Sequence, residues 1–269
     1  MKLPPLRLYA LAYLVFLYAP ILLLPIFAFN DGTIIAFPLK GFTTGWFAQM
    51  FSNPTLGNAL KNSLIIALSS AVFATTLGIF AARAGTRFSF PGKGGIMGLI
   101  MLPLVLPEII LAVALLVLVT KVLGLAPNLY TIVLAHTLMC TPYATSILNG
   151  AFANLDQSFE EAAMDLGESR WGAFRLVTLP LVMPGIISSF LISFTISLDE
   201  FIIAFFLAGN EPTLPTYIFS QLRFPKQIPM IMALGTMLVL ASILLLTVAE
   251  YVRRRGVART GGKDTGGFL

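Results

Sequence analysis

The chain has 269 residues, of which 57% are hydrophobic and only 11% are charged. A soluble domain of ordinary composition carries roughly 25% charged residues, so we exclude a water-soluble fold and expect an integral membrane protein. The net charge of +5 does not indicate nucleic acid binding, because the basic residues lie in short loops and near the C-terminus rather than along one stripe.

Six apolar segments are each long enough to cross a membrane as a helix, which takes about 20 residues for a hydrocarbon layer of ~30 Å. The segments are residues 8–29, 59–82, 95–119, 129–151, 185–208 and 229–251. We therefore expect an all-α polytopic membrane protein with six transmembrane helices, forming one membrane domain over residues 1–269. The first segment lacks a small-residue cleavage site and is expected to remain as an anchor. The Gly-rich, polar residues 256–269 are expected to be disordered.

The distribution of basic residues predicts the orientation of these helices. Most of the 17 Lys and Arg residues fall on one side of the predicted membrane, in the N-terminal residues, in the loops after the second and fourth segments, and in the C-terminal tail. Because cytoplasmic loops are enriched in Lys and Arg, we expect a multi-pass protein with both termini in the cytoplasm.

The third segment contains an acidic residue, Glu108, directly after Pro107. An unpaired carboxylate at mid-bilayer costs roughly 2.5 to 3.5 kcal/mol on insertion scales, so Glu108 should face a protein interior or a water-filled path. Pro103 and Pro107 are expected to bend this helix. A second interpretation is that the freed backbone carbonyls accept hydrogen bonds from a substrate.

The fourth segment carries polar residues, among them His136 and Tyr143, together with several threonines. Such a stripe is more typical of helix–helix contact than of a proton relay. Tyr143 remains a candidate for lining a substrate pathway.

Residues 160–184 form a polar stretch between two apolar segments, within a loop over about residues 152–183. Asp156 or Ser158 is expected to cap a helix whose first turn holds Glu160 and Glu161. Gly167 predicts a sharp turn. This stretch is longer and more polar than an ordinary connection, which indicates a docking element.

A second helical piece is predicted from about residue 169 to residue 177. Trp171, Phe174 and Val177 follow one another at spacings of three, so they should form one apolar face. Pro180 and Pro184 are expected to end this piece.

The spacing of this loop resembles the EAA loop of ABC-transporter permeases of the bacterial importer type. The matching residues are Glu161, Ala162 and Ala163, then Gly167, and then the run from Val177 to Pro180. The resemblance implies the type I importer permease fold and a coupling helix that sits in a groove of an ATPase subunit. The residues to which it assigns this role are Glu160, Glu161, Ala162, Ala163, Asp165, Leu166, Gly167, Trp171 and Pro180.

Four further stretches are similar to the second permease of spermidine/putrescine transporters. They are Phe29 with Asn30, GFTTGWF at 41–47, LPEI at 106–109 and SFTISLDEF at 193–201. The resemblance implies a bacterial inner membrane location, a homologous permease subunit, two ATP-binding subunits that hold ATP and Mg²⁺, and a periplasmic substrate-binding protein. Permeases for opines, phosphonates or ferric iron share much of the pattern.

The fifth segment contains two adjacent acids, Asp199 and Glu200. With a polyamine as cargo, these residues and Glu108 would attract its ammonium groups in a medium of low dielectric constant. The alternative is that Asp199 or Glu200 caps or pairs with another helix. Adjacent helical residues point about 100° apart, so at most one of the two faces the pathway unless the helix is broken there.

Several motifs are missing from the sequence. No GxxxxGK[ST] loop is present, so we expect no nucleotide cofactor in this chain. HExxH and GxSxG motifs are also absent, and a single cysteine, Cys140, supplies neither a disulfide nor a metal cluster. We therefore expect no catalytic residue, no metal site and no enzyme. The remaining alternative, an ion-coupled transporter or channel that works alone, leaves the EAA loop without a role.

Overall fold

The computed structural model describes residues 5–260, with side chains described for residues 6–244 and for Thr247. Within this range the regular structure is helical apart from one isolated bridge between Asn30 and Phe42. The α-helices are α1 (Pro5–Ala28), α2 (Gly45–Phe51), α3 (Pro54–Arg87), α4 (Lys93–Met101), α5 (Glu108–Val117), α6 (Leu129–Ala153), α7 (Ser158–Asp165), α8 (Arg170–Ala173), α9 (Leu179–Asp199), α10 (Ile202–Leu207), α11 (Leu214–Gln221) and α12 (Ile228–Thr260).

Contacts within the chain form two compact units, and the prediction of one membrane domain stays a prediction. In the unit formed by residues 1–54 and 218–269, α1 and α2 both pack on α12. A Cβ placed on Gly235 would lie 3.2 Å from Leu24 Cδ2, so this glycine allows α1 and α12 to approach closely. α12 continues to Thr260, beyond the predicted start of the disordered tail at residue 256, and residues 261–269 lie outside the described residues.

The other unit, residues 55–217, is organised around α6, which packs along α9 and also contacts α10 and α4. A Cβ placed on Gly185 of α9 would lie only 2.6 Å from Ala151 Cβ on α6. Further along the same face of α9, Ser189, Ser193 and Ser197 are buried. Small side chains let membrane helices approach closely, and this explains the tight α6–α9 pair.

Among residues 5–260, five helical stretches are long and apolar enough to cross a membrane, and a bent pair adds a sixth if it counts as one span. In that pair, Lys93–Leu104 and Glu108–Val122 meet at an angle of 103°. Pro107 sits at the break with an extended ψ of 131° and precedes the first residue of α5. The predicted bend at the prolines is confirmed, and it is sharp enough to break the helix.

The fifth span differs from its predicted bounds of residues 185–208. It runs over Arg170–Asp199, so Pro180 and Pro184 do not end the helix as we expected. A π segment, Phe174–Thr178, precedes Pro180, and its widened turn accommodates a residue that has no backbone donor. The helix stops instead after Asp199, which places the two acids at its end and not at its middle.

Candidate functional site

The EAA loop, residues 152–183, contains α7 and the beginning of the next helix, and the turn between them lies at Gly167, as predicted. The second helical piece is not separate, because it continues from α8 into α9. Gly167 has a φ of +95°, a left-handed conformation that is strained for residues with a Cβ. Its N–H donates to the carbonyl of Met164 at 3.0 Å, and the N–H of Glu168 donates to the carbonyl of Ala163 at 3.1 Å. These two bonds form a Schellman motif, which fixes where α7 ends.

Polar side chains cap both helices of the loop. Asp156 Oδ1 accepts a hydrogen bond of 3.0 Å from the backbone N–H of Ser158, so Asp156 is the capping residue of the two that were proposed. This backbone hydrogen bond, with a smaller contribution from the Ser158 side chain, lowers the pKa of Asp156. In α8, Ser169 Oγ accepts from the N–H of Gly172 at 3.0 Å. The second piece therefore begins where it was expected.

Glu160 connects α7 to two of the long helices. Its Oε1 accepts a hydrogen bond of 2.7 Å from Thr178 Oγ1, just before α9, and lies 3.7 Å from Arg87 Nε at the end of α3. Arg87 Nη2 in turn donates to the carbonyl of Leu155 at 2.8 Å. These contacts connect α7 to α3 and to the helix that continues as α9.

A stack of cationic and aromatic side chains reinforces this connection. The Arg83 guanidinium carbon lies 3.9 Å from the centre of the Phe174 ring, within the range of a cation–π contact. The Trp171 ring also contacts Phe174, with the two ring centres 5.4 Å apart and the rings tilted by 34°. Phe174 is buried whereas Trp171 is 60% exposed. The predicted single apolar face is thus divided between a buried anchor and an exposed aromatic ring.

The remaining predicted coupling residues separate into an inner and an outer set. Ala163 is buried and Glu160 is half-buried, so these two face the rest of the chain. Leu166 is 88% exposed. The other exposed members are Glu161, Ala162, Asp165, Gly167, Trp171 and Pro180. The outer set includes two carboxylates, those of Glu161 and Asp165, and two large apolar side chains, those of Leu166 and Trp171.

The acidic residues of the third and fifth segments lie at the N-termini of two short helices that pack together, α5 and α10. Glu200 is 8% exposed, and its Oε1 accepts a hydrogen bond of 2.7 Å from the N–H of Ile203 in α10. Glu108 occupies the exposed first turn of α5 and lies within electrostatic range of Glu200. Carboxylates are stabilised at helix N-termini. Glu200 therefore has the capping role that was the alternative to pathway lining.

The other two candidate pathway residues, Asp199 and Tyr143, do not lie at the N-termini of α5 and α10. Asp199 is exposed at the last residue of α9, because the helix is broken directly after it. On α6, His136 Nδ1 lies 2.8 Å from Ser197 Oγ, and Cys140 Sγ contacts the carbonyl of Ser193. This antiparallel register places Tyr143 about nine residues from the level of Asp199, which is ~13 Å along the helix axis. Tyr143 thus lies apart from the acids.

Sequence reasoning missed Arg83 and Arg87 as parts of this site, and it matched Thr178 within the run from Val177 to Pro180 without assigning it a role. The two arginines are four residues apart at the end of one helix, so they share a face. That spacing was a usable signal, whereas the partnership of Thr178 with Glu160 depends on tertiary packing. No group of three or more His, Cys, Asp or Glu side chains that could hold a metal ion occurs in the part of the chain that the structure describes.

Residues 74–260 match the family described as "Binding-protein-dependent transport system inner membrane component". The putrescine transport system permease protein PotI of Escherichia coli K12 is 37% identical over 89% of this chain and 87% of its own length. The spermidine/putrescine transport system permease protein PotC of Haemophilus influenzae is 34% identical over 89% of this chain and 93% of its own length. A chain of a bacterial alginate ABC transporter, crystallised with its periplasmic protein, superimposes with a TM-score of 0.72, at 19% identity over 93% of this chain and 92% of that one.

Proposed function

Since this chain belongs to the family of inner-membrane components of binding-protein-dependent transport systems, we propose that it forms one half of the translocation pathway of an ATP-driven importer of polyamines. Its fold is that of ABC importer permeases, and its family is one of transport components, not of enzymes. The substrate, the partner subunits and the orientation belong to the proposal.

The observation that carries the proposal is the construction of the EAA loop. Glu160 ties α7 to Arg87 on α3 and to Thr178 just before α9, while Glu161 and Leu166 remain exposed. One side chain of α7 bonds to the membrane helices while others are exposed to a partner. A helix held in this way is suited to receive a displacement from the partner and pass it to the membrane helices. We assign the exposed side chains of α7 and of the residue after it, Glu161, Ala162, Asp165 and Leu166, to contact with an ATP-binding subunit. Trp171 belongs to the half of the loop that leads into the fifth span.

The proposed assembly contains a homologous permease subunit, two ATP-binding subunits that hold ATP and Mg²⁺, and a periplasmic substrate-binding protein. Basic residues support the orientation, because Arg83, Arg87, Arg170 and Arg175 all lie at the end of the helices that carries the EAA loop. By the positive-inside rule, these residues support a cytoplasmic position for that end, and the basic residues near the N- and C-termini support the same for both termini. ATP binding would then act on the loop from the cytoplasmic side.

Two arguments support a polyamine as substrate. Relatives at 34% and 37% identity carry the names of putrescine and spermidine/putrescine permeases. In this chain, Glu108 and Asp199 are exposed acids at two helix breaks, near the capped Glu200. Exposed carboxylates at membrane depth face a protein interior or water rather than lipid. They would supply successive attractive sites for the ammonium groups of a polyamine.

The test is co-purification and uptake with the neighbouring ATP-binding subunit co-expressed. Glu161→Lys reverses a charge in the outer set and is expected to abolish both the association and uptake of labelled putrescine. Glu211→Lys is the matched control for the association, because Glu211 is an exposed acid in the loop between α10 and α11, away from the EAA loop. Full uptake by Glu161→Lys would refute the coupling role, and uptake of an opine, a phosphonate or ferric iron in place of putrescine would refute the substrate.

A further inference from the structure

A cavity of about 410 Å³ lies between the end of α3 and the two helices of the EAA loop. Three arginines line it, Arg83, Arg87 and Arg170, together with Ser89 and Gln157. We call it the arginine cavity. We propose that it binds the phosphate group of an anionic phospholipid. The proposal rests on the orientation given above, which places the cavity at the cytoplasmic leaflet.

The charges in the arginine cavity are not balanced. Glu160 and Glu161 also line the cavity, but Glu160 is already engaged with Arg87 and with Thr178. Arg83 is held by its contact with the Phe174 ring. Within residues 6–244, no acid lies within salt-bridge distance of Arg83 or Arg170. Three cations therefore face two carboxylates, one of which is shared.

Two buried arginine nitrogens in the cavity wall, the Nε atoms of Arg83 and Arg87, have no hydrogen-bond partner among the described residues. Arg87 Nε lies 3.7 Å from Glu160 Oε1, which is an ion pair but too long for a hydrogen bond, whereas the described residues contain no such ion pair for Arg83. Buried donors without acceptors are costly. A phosphate group offers several acceptor oxygens and matches the planar fork of a guanidinium, and such pairs are among the stronger hydrogen bonds in proteins. These donors thus favour an oxyanion as the occupant.

An apolar groove adjoins the arginine cavity and indicates what carries the phosphate. The groove, of about 340 Å³, shares Arg83, Phe88 and Arg170 with the cavity and is completed by Phe80, Ala84 and Trp171. Phe80 continues an exposed apolar face of α3 that includes Phe73 and Leu77. A free phosphate ion gains nothing from this groove, whereas the acyl chain of a lipid would bury apolar surface along it.

The location also fits a lipid headgroup. Trp171 is exposed beside the groove, and tryptophan is enriched where a membrane helix meets the headgroup region. The cytoplasmic leaflet contains anionic lipids, and basic pockets between membrane helices on that side bind their headgroups. The bound lipid would hold α3 against the EAA loop, at the place where Glu160 makes its contacts.

The experiment uses the full chain, purified in a neutral detergent and titrated with phosphatidylglycerol, with phosphatidylcholine and, at matched ionic strength, with sodium phosphate. Thermal stability reports binding. We expect phosphatidylglycerol to stabilise the chain saturably, and we expect phosphatidylcholine and sodium phosphate not to stabilise it. Arg83→Gln and Arg170→Gln should each raise the apparent Kd about tenfold, since each removes one charge-assisted contact. Arg175→Gln is the matched control, because Arg175 is exposed on the same loop and does not line the cavity.

Three results would overturn the proposal. Equal affinities of Arg170→Gln and Arg175→Gln for phosphatidylglycerol would exclude the arginine cavity as the binding site. Because Arg170 is exposed, Arg170→Gln should fold even if Arg83→Gln does not. Equal stabilisation by sodium phosphate would identify a free anion as the ligand. Absence of stabilisation by phosphatidylglycerol, together with stabilisation by the added ATP-binding subunit that Arg170→Gln weakens and Arg175→Gln does not, would make the cavity a protein-docking surface. Because no arm measures transport, a failure of the polyamine assignment would leave these results unchanged.

Discussion

The carboxylate of Glu160 accepts a hydrogen bond of 2.7 Å from the hydroxyl of Thr178, which lies 18 residues further along the chain. The bond closes the EAA loop on itself, from the first turn of α7 to the residue before α9. Arg87 of α3 approaches the same carboxylate oxygen. One side chain therefore joins the loop, the second span and the fifth span, and its neighbour Glu161 is left free for a partner.

This arrangement predicts opposite phenotypes for two adjacent residues. Glu160→Ala removes the partner of Thr178 and of the largely buried Arg87, and it is expected to destabilise the chain by about 2 kcal/mol. Glu161→Ala removes an exposed side chain and should leave the melting temperature unchanged while weakening the association with the ATP-binding subunit. Melting curves and co-purification of both variants give the comparison. A melting temperature that falls equally in the two variants would contradict the inward role of Glu160.

Gly167 predicts a second, purely conformational effect. Gly167→Ala places a Cβ on a residue whose φ is +95°, and a left-handed conformation costs a residue with a Cβ roughly 1–2 kcal/mol. Gly150→Ala is the control, because Gly150 lies inside α6 with open space around a new Cβ. Alanine there should be neutral or stabilising by roughly 0.5–1 kcal/mol. Thermal melts of both variants test this, and equal stabilities would argue against the left-handed turn.

The sequence allowed prediction of those features that depend on neighbouring residues. The apolar segments, the turn at Gly167 and the start of α8 after Ser169 follow from local composition and capping, and the structure contains them. The continuation of the helix through Pro180 could not be predicted from local composition. It depends on the π segment before the proline, and no short sequence pattern predicts a π segment. Glu200 can cap α10 only because the helix breaks after Asp199. The apolar sequence on both sides of the break gives no signal for it.

Substitutions of the two acids of the fifth segment are predicted to have different effects on the stability of the chain and on transport. Glu200→Ala removes the hydrogen bond to the N–H of Ile203, and loss of an N-terminal cap costs about 1 kcal/mol. Asp199→Asn keeps the shape of an exposed side chain and should leave stability and ATPase coupling intact while reducing putrescine uptake. Melting temperature, ATP hydrolysis and uptake kinetics of the assembled transporter separate these effects. Unchanged uptake kinetics in Asp199→Asn would remove that residue from the pathway.

The close contact between α6 and α9 predicts that a second substitution on α6 can restore the stability lost by a substitution on α9. Gly185→Ala places a Cβ 2.6 Å from Ala151 Cβ, so the helices must separate, and overpacking of this kind costs typically about 1–3 kcal/mol. Ala151→Gly alone should cost less, about 1 kcal/mol, because it replaces alanine in a helix. The double variant moves the methyl group from one helix to the other and should recover most of the stability lost by Gly185→Ala. The double-mutant cycle, measured by thermal unfolding in detergent, gives the interaction energy between the two positions. Additive losses would show that Gly185 and Ala151 are not in contact, and would contradict the close approach that joins the fifth span to the centre of its unit.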